Sequence, residues 1–268
     1  MGPESYEFQS KIMSEKSGFL AIWYREIKVF LREKSRIVAS IVNPILWLLV
    51  FGGGLGANVS IEGTNYQTFI YPGILAQAAL FSSIFFGVYI VWDRKIDFLK
   101  EVLVAPISRT TIFIGKMIGG ATDSLIQSTI LLFLGIILGS LGIIQGLHIG
   151  ITSFILALVI LFITTSGLVS VGLIIGSFME SPEGFQLVSS FILFPLFFLS
   201  GALFPINRLP GWLSPLVLIN PLTYSVDALR KVILGFSQFS LFLDVGVMIA
   251  FLIIVIIFGT YCFKRMRI

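Results

Sequence analysis

The sequence predicts an all-α membrane protein. It has six transmembrane helices, an N-terminal amphipathic helix at the membrane surface, and short re-entrant or extracellular helices before the last span. The 268-residue chain is 56% hydrophobic, contains 26 Phe and has a mean hydropathy of +1.00, which is outside the usual range of soluble domains. Its apolar runs approach or exceed the roughly 20 residues that cross a hydrocarbon core of about 30 Å, whereas a buried helix of a soluble domain would give about 10–14. Basic residues also lie mostly on one side of these runs, as in membrane proteins.

The first predicted element is an amphipathic helix at residues 19–36, after a polar N-terminal segment at 1–18. One face is apolar and the opposite face is basic at helical spacing, which is typical of a helix in the membrane interface. A simple anchor with a basic rim is the alternative interpretation. The apolar face is Phe19, Trp23, Ile27 and Phe30, and the basic face is Arg25, Lys28, Arg32 and Arg36.

Six membrane spans follow, of which the fourth is long enough to tilt or to begin at the interface. Between the last two spans, residues 205–244 contain four prolines and apolar pieces too short to cross, so we expect short re-entrant or interfacial helices there. The predicted spans are 37–57, 69–92, 117–140, 149–179, 185–204 and 245–263.

The distribution of Lys and Arg orients the predicted spans. Six spans put both termini on one side, which then holds seven basic residues in 1–36, five in 93–116 and three in 264–267. The other side holds Arg208, Arg230 and Lys231. Since short cytoplasmic segments carry the excess of basic residues, both termini and residues 93–116 are expected in the cytoplasm.

Several kinds of active chemistry are missing from the sequence. With one His and one Cys, the chain offers no Cys/His metal cluster and no internal disulfide. His148 is expected to be solvated, and Cys262 to be an inert thiol. Around Gly115 and Lys116, the sequence lacks the first Gly and the final Ser/Thr of a phosphate-binding loop. We therefore expect no enzyme and no cofactor in this chain, and any use of ATP requires a partner.

Asp123 is the one clear carboxylate within a predicted span. Gly119, Gly120 and Gln127 share its helix face. A carboxylate at this depth should face protein or water. It could line a path or couple movements, or it could be a snorkelling or hydrogen-bonded structural group near the cytoplasmic end.

Two stripes of aromatic residues are candidates for a substrate path. They repeat at helical spacing in spans two and five, and such stripes can line a cavity for a greasy substrate. The alternative is that they face lipid or a neighbouring helix. The stripe in span two is Gln77, Phe81, Phe85 and Tyr89, and the stripe in span five is Phe191, Phe194 and Phe198.

The segment 93–116 is unusual because eight of its 24 residues are charged, in a chain that is 12% charged. Ile96, Leu99 and Leu103 fall on one helix face. This pattern predicts a short cytoplasmic helix whose apolar face docks on a partner. The charges assigned to solvent or to the partner are Arg94, Lys95, Asp97, Lys100 and Glu101.

Signals after this segment mark where the short helix ends and where the next span begins. Pro106 disfavours helix at the preceding residue and should end the element. Ser108 or Thr110 can then cap the helix of span three. A charged interfacial loop without a partner is the alternative.

These features together resemble the membrane subunit, or permease, of ABC-2 type transporters, especially the branch that exports drugs and lipooligosaccharides. The resemblance covers roughly residues 20–263, and 19–268 is taken as the ABC-2 transmembrane domain. The most specific segment is the last of the three. They are REIKVFLREKSRIVASIVNPILWLLVFGGGLG at 25–56, FLKEVLVAPISR at 98–109 followed by GK at 115–116, and FLSGALFPINRLPGWLSPLVLINPLTYSVDALR at 198–230.

The resemblance implies partners and a location. It implies two copies of the permease, two ATP-binding subunits that carry ATP and Mg²⁺ on the cytoplasmic side, and the plasma membrane of a prokaryote. It also implies that 19–36 is a connecting helix, that 93–106 includes a coupling helix for the ATPase, and that spans two and five line the path. The family often has Gly where this chain has Asp97, which affects how the coupling helix docks.

Three functions follow from these observations. The leading hypothesis is the translocation subunit of an ATP-driven exporter of a hydrophobic drug, a lipid or a lipid-linked glycan, in contact with membrane lipid and without nucleic acid. A stand-alone secondary transporter or channel would favour more intramembrane charges, or broken helices in two matching halves. A non-transporting anchor or assembly protein is the third hypothesis.

Overall fold

The computed structural model describes residues 3–56, 59–61 and 63–266, and these residues form an all-α fold. A π-helical segment, Trp47–Gly52, joins α2 to α3, and a 3-10 turn covers Ile206–Arg208. The strands β1 (Ser60–Ile61) and β2 (Thr64–Asn65) pair antiparallel in a short hairpin. The α-helices are α1 (Pro3–Arg32), α2 (Lys34–Leu46), α3 (Gly53–Gly56), α4 (Tyr66–Phe85), α5 (Val88–Lys95), α6 (Phe98–Val104), α7 (Arg109–Ser140), α8 (Ile151–Phe178), α9 (Pro182–Phe198), α10 (Ser214–Ile219), α11 (Pro221–Leu234) and α12 (Leu241–Arg265).

Within the described residues, five helical stretches are long and apolar enough to cross a membrane. They correspond to the predicted spans one to four and six. The third begins at Arg109, well before the predicted start at residue 117, so the helix carries polar residues past the apolar run. The five stretches are Lys34–Gly56, Tyr66–Lys95, Arg109–Ser140, Ile151–Phe178 and Leu241–Arg265.

The predicted fifth span is shorter than expected. It is helical only in α9, whose 17 residues would extend about 26 Å, near the lower limit for crossing the hydrocarbon core. The chain turns after Phe198, with Gly201 at a φ of +71° and the Ser200 hydroxyl donating to the carbonyl of Phe197. The predicted end at residue 204 is therefore wrong. Hydropathy missed it because residues 199–204 are almost as apolar as the helix itself.

The α4–α5 span forms the centre of the bundle. In its most apolar window 78% of residues are buried, against 17% in Lys34–Gly56 and in α12. The helix α4 packs against α7, α8, α9 and α11. The first and last spans therefore lie at the periphery of a single chain.

The central span is interrupted between α4 and α5, where a continuous helix was predicted. Gly87 lies at this break, directly against Gly172 of α8, and a Cβ on Gly87 would be 1.9 Å from the Gly172 carbonyl oxygen. Small residues allow the backbones of membrane helices to approach this closely. The break therefore lets the end of the central span pack on α8.

Basic and acidic side chains tie helix ends together at one end of the bundle. Arg109 donates to the carbonyls at the C-terminus of α12, including that of Met266 at 2.7 Å. Ser108 is the N-cap of α7, as predicted, and its backbone N–H donates to Glu15 of α1 at 2.8 Å. The start of α7, the helix α1 and the end of α12 consequently meet at the same end of the bundle.

The segment 205–244 forms short helices, as predicted. In α11 the Asn220 side chain caps the N-terminus, and the buried Asp227 accepts hydrogen bonds from the backbone N–H groups of Gln238 and Phe239. The buried Arg230 donates to the carbonyl of Gly201 at 2.9 Å. These contacts fix the loops that connect α9, α11 and α12.

Candidate functional site

An open groove of about 620 Å³ lies between α2 and the α4–α5 span. Ser40 and Asn43 of α2 line one side, and Phe81 and Phe85 of α4 line the other. A second cavity of about 50 Å³ shares Ser40, Asn43 and Phe81 with the groove and reaches Gln77. The two cavities form one continuous surface along α4.

The two predicted aromatic stripes meet beside this groove. The rings of Phe81 and Phe194 make an edge-to-face contact with centroids 6.0 Å apart, and Phe194 stacks on Phe198. Phe191, Phe194 and Phe198 are 76%, 50% and 48% exposed. The described chain therefore presents one aromatic surface that runs from the groove onto α9.

Polar groups without partners form part of the groove wall. Gln127 of α7 is 1% exposed and Gln77 is 5% exposed. Both amide atoms of Gln127 and the Oε1 of Gln77 have no hydrogen-bond partner among the described residues. Buried polar atoms are usually paired, so these amides are unusual.

A hydrogen-bonded network of charged and polar side chains lines the groove near the junction of α1 and α2. Tyr89 donates to Glu33 at 2.5 Å and accepts a hydrogen bond from Arg36. Arg36 also donates to the carbonyl of Ser82 at 3.4 Å. Arg36 was predicted on the face opposite the apolar stripe, and the structure instead turns it toward the central span.

Asp123 lies one helical turn before Gln127 and is 1% exposed. Neither carboxylate oxygen has a hydrogen-bond partner in the described residues. Asp123 therefore neither reaches the surface of the described chain nor pairs with another described side chain. Asp123 is not among the residues that line the groove, so its placement in a substrate path stays a prediction.

A largely buried cluster of two acidic and two basic side chains lies against the groove, and Arg25 and Asp93 of this cluster line it. Lys116 of α7 contacts Glu26 of α1 at 2.8 Å and Asp93 of α5 at 2.6 Å. Arg25 contacts Glu26 at 2.8 Å and Asp93 at 2.5 Å. The two carboxylates and the Lys116 side chain are at most 3% exposed. The cluster has no net charge and joins α1, α5 and α7.

This cluster also reaches the short helix α6. The guanidinium of Arg25 lies 4.1 Å from the ring centroid of Phe98, the first residue of α6. Cation–π contacts of this kind contribute about 0.5–2 kcal/mol, depending on exposure. A movement of α6 would therefore act on the same charges that hold α1 to the central spans.

The structure corrects two of the residues predicted to face a partner. Leu99 is 3% exposed and packs inside the chain. Arg94 donates to the carbonyls of Ser177 and Met179 at the end of α8, so it is not a free docking charge. The remaining predicted residues are accessible to differing degrees: Ile96, Asp97, Lys100, Glu101 and Pro106 are exposed, and Leu103 is half-buried.

Asp97 is exposed, as predicted from its charge, but it lies just outside the helix. It lies between α5 and α6 with a φ of +58°, in the left-handed region. Gly adopts this conformation most easily, and Asp tolerates it better than most residues. The Gly that is frequent here in the resembling family would fit the same turn. As predicted, α6 ends before Pro106, with Ala105 in an extended conformation.

Sequence reasoning missed Glu26 and Lys116. The buried stripe of α1 is Ile22, Glu26 and Phe30, so a carboxylate occupies a position in the apolar pattern. Lys116 similarly precedes the apolar run of span three, one turn before Gly120. The sequence signal for this pair was an acidic residue within one apolar helix face and a basic residue at the start of another.

The remaining polar candidates have no assigned chemistry. His148 is exposed, as predicted, and Cys262 is a buried free thiol. In the part of the chain that the structure describes, no three His, Cys, Asp or Glu side chains lie close enough to hold a metal ion together.

Comparison with known proteins gives consistent matches over most of the chain. A family model described as ABC-2 type transporter matches residues 17–234. Nodulation protein J of Rhizobium leguminosarum bv. viciae is 25% identical over 251 residues, which cover 92% of this chain and 94% of that protein. The inner membrane transport permease YadH of Escherichia coli K12 is 27% identical and covers 87% and 89%. The putative transport permease ycf38 of Cyanophora paradoxa is 32% identical and covers 76% and 70%.

Proposed function

Because the chain belongs to the ABC-2 type transporter family and is the membrane subunit of an ABC exporter, we propose that it forms the translocation path for a hydrophobic or lipid-linked substrate. It is a multi-pass protein of the plasma membrane. In this proposal two copies work as a homodimer with two copies of a separate ATP-binding subunit. That subunit carries ATP and Mg²⁺, and both termini of the permease are cytoplasmic.

The observation that carries the proposal is the joined surface of the groove and the α9 aromatic stripe. It combines an open cavity of about 620 Å³ with exposed rings at Phe191, Phe194 and Phe198. The groove lining combines apolar side chains such as Phe81, Phe85 and Trp92 with polar and charged groups, which suits a ligand that has both an apolar and a polar part. A two-fold copy would bring the same surface opposite itself, because such an interface uses one patch on both subunits. The path would then run between the two copies.

The proposed route of coupling starts at α6. Two exposed apolar residues, Val104 at its C-terminal end and Ile96 just before the helix, are 78% and 66% exposed, and these would contact the ATP-binding subunit. Movement of α6 would pass through Phe98 and Arg25 to the buried charge cluster and thus to α5 and α7. Asp93 is one turn beyond Tyr89, which lines the groove. The route therefore connects the cytoplasmic surface to the path in a few contacts.

A cross-linking experiment tests the position of the second copy. In a cysteine-free background, Phe191→Cys is expected to give disulfide-linked dimers in membranes. The matched control is Ile254→Cys on α12, which is 64% exposed and should face lipid. Cross-linking at 254 and not at 191 would place the second copy on α12 and contradict the proposed path.

A second experiment tests the exporter itself. The chain is coexpressed with a candidate ABC ATP-binding subunit from the same organism, and the complex is purified and reconstituted in lipid vesicles. We expect the two proteins to copurify and a transported amphiphile to stimulate ATP hydrolysis. Transport of the same substrate by the permease alone would support a stand-alone transporter instead.

A further inference from the structure

We propose that Gln77 and Gln127 form a specificity subsite that binds a neutral, hydrogen-bonding head group of the substrate, with hydroxyl or amide chemistry. The apolar part of the substrate would lie along Phe81 and the α9 aromatic stripe. This inference rests on the proposed translocation path and adds the chemical class of substrate and the two residues that select it.

The unpaired amides are the first step of the argument. Both glutamines are more than nine-tenths buried, and both line the continuous cavity, Gln127 in the groove and Gln77 in its extension. A carboxamide has an acceptor oxygen and two N–H donors. Leaving such groups buried and unpaired is unfavourable. A ligand that donates and accepts hydrogen bonds in this cavity would remove that penalty.

The charges around the groove indicate that the head group is neutral. Arg36 already donates to Tyr89 and to a carbonyl, and Glu33 accepts from Tyr89. Asp93 forms ion pairs with Arg25 and with Lys116 of the buried charge cluster. Each ionised group that lines the groove therefore has a partner, whereas the Gln127 amide and the Oε1 of Gln77 have none among the described residues. A charged head group would meet no unpaired opposite charge on this surface.

The neighbouring rings determine how an amphiphile would lie. Phe81 lines both cavities and contacts Phe194, so an apolar chain can continue from the glutamines onto α9. The exposed rings of α9 lie on the side of the described chain that no other element covers. A head group at the glutamines and a tail on α9 would use both kinds of surface at once.

Binding to the permease alone in lipid nanodiscs tests the inference without the ATP-binding subunit. Trp92 lines the groove and is 48% exposed, so its fluorescence can report ligands there once the other three Trp are replaced by Phe. The probes have saturated alkyl chains of nearly equal length and differ in the head group. Dodecyl maltoside carries hydroxyls, dodecanamide carries an amide, and dodecyltrimethylammonium carries a charge without N–H or O–H donors.

We expect saturable binding of the maltoside, the amide or both, weakened about two- to tenfold by Gln127→Leu and by Gln77→Leu through the loss of one or more hydrogen bonds. The two neutral probes together tell whether hydroxyl or amide chemistry is preferred. The matched control, Gln186→Leu, changes an exposed glutamine of α9 outside the groove and should have no effect. Without ligand, the leucine variants should unfold at the same or a higher temperature than the parent, which a structural role would not give.

Three results would overturn the inference, and normal binding by the leucine variants is a fourth. One is equal binding of all three probes by the parent, and another is no saturable binding of either neutral probe. The third is loss of the dimer in the leucine variants, which would mean that the second copy pairs with these amides. If the leucine variants bind normally while the complex still shows substrate-stimulated hydrolysis, the subsite is wrong and the proposed exporter stands.

Discussion

Replacing Lys116 by Met is the sharpest test of the buried charge cluster. The Nζ of Lys116 lies 2.8 Å from Glu26 and 2.6 Å from Asp93. Met has a similar length and no charge, so the change removes two ion pairs with little loss of packing. What remains is two carboxylates that share the single guanidinium of Arg25.

The structure sets the expected magnitude. Removing one partner of a buried ion pair destabilises by about 3–5 kcal/mol, because a charge is left buried without compensation. Here Arg25 still contacts both carboxylates at 2.5–2.8 Å. We therefore expect the lower end, about 3 kcal/mol. At about 2–4 °C per kcal/mol for a chain of this size, the unfolding midpoint should fall by roughly 6–12 °C.

Thermal unfolding of the purified protein in nanodiscs measures this effect, and an exposed ion pair supplies the control. Lys100 pairs with Asp97 at 2.7 Å, and their side chains are 55% and 71% exposed. Such pairs contribute about 0–1 kcal/mol, so Lys100→Met should shift the midpoint by no more than a few degrees. Equal midpoints for Lys116→Met and the parent would refute the reasoning, since a cluster that tolerates the loss of its central cation is not held by these charges.

Three further predictions concern the segment around α6 and the orientation of the chain. Ile96→Asp should weaken copurification of the ATP-binding subunit without lowering thermal stability, because Ile96 is 66% exposed. Leu99→Asp should instead destabilise the permease itself, because it buries a carboxylate. The reverse pattern would mean that α6 docks through its buried face. Asp97→Gly should leave the free energy of unfolding unchanged or raise it by up to about 1 kcal/mol. The change relieves the left-handed backbone and removes only an exposed ion pair. A clear loss of stability in a chemical or thermal melt would contradict this. In a cysteine-free background, Lys100→Cys should be protected from an impermeant thiol reagent in intact cells, and His148→Cys should react with it. Labelling at position 100 alone would mean that the orientation is the reverse of the predicted one.

The sequence was sufficient to predict features that depend on local pattern. Apolar runs of about 20 residues predict spans because the length of a helix and the thickness of a bilayer are fixed. Ser108 and Pro106 marked the start of α7 and the end of α6 because capping and the restriction before proline are local effects. The end of α9 could not be predicted this way, since the turn after Phe198 is formed by residues as apolar as a span.

The orientation of a helix face could not be predicted, for a different reason. The pattern of Ile96, Leu99 and Leu103 predicts one apolar helix face, but not whether that face packs on its own chain or on a partner. In the structure Leu99 is buried within α6, whereas Ile96 is exposed and lies before the helix begins, so the predicted residues do not share one face. The pairing of Glu26 with Lys116 spans 90 residues, and no local rule relates positions so far apart.

A second variant separates the role of the buried charge cluster in stability from its proposed role in coupling. A charge-balanced variant, Glu26→Met with Lys116→Met, removes one acid and one base and leaves the pair of Arg25 and Asp93. Replacing a buried ion pair by apolar residues of similar volume is often neutral or stabilising, so the double variant should recover most of the stability lost in Lys116→Met. If the cluster transmits the movement of α6, the recovered protein should still bind the ATP-binding subunit while hydrolysis no longer responds to substrate. Normal substrate stimulation in the double variant would show that the charges hold the helices together without carrying the signal.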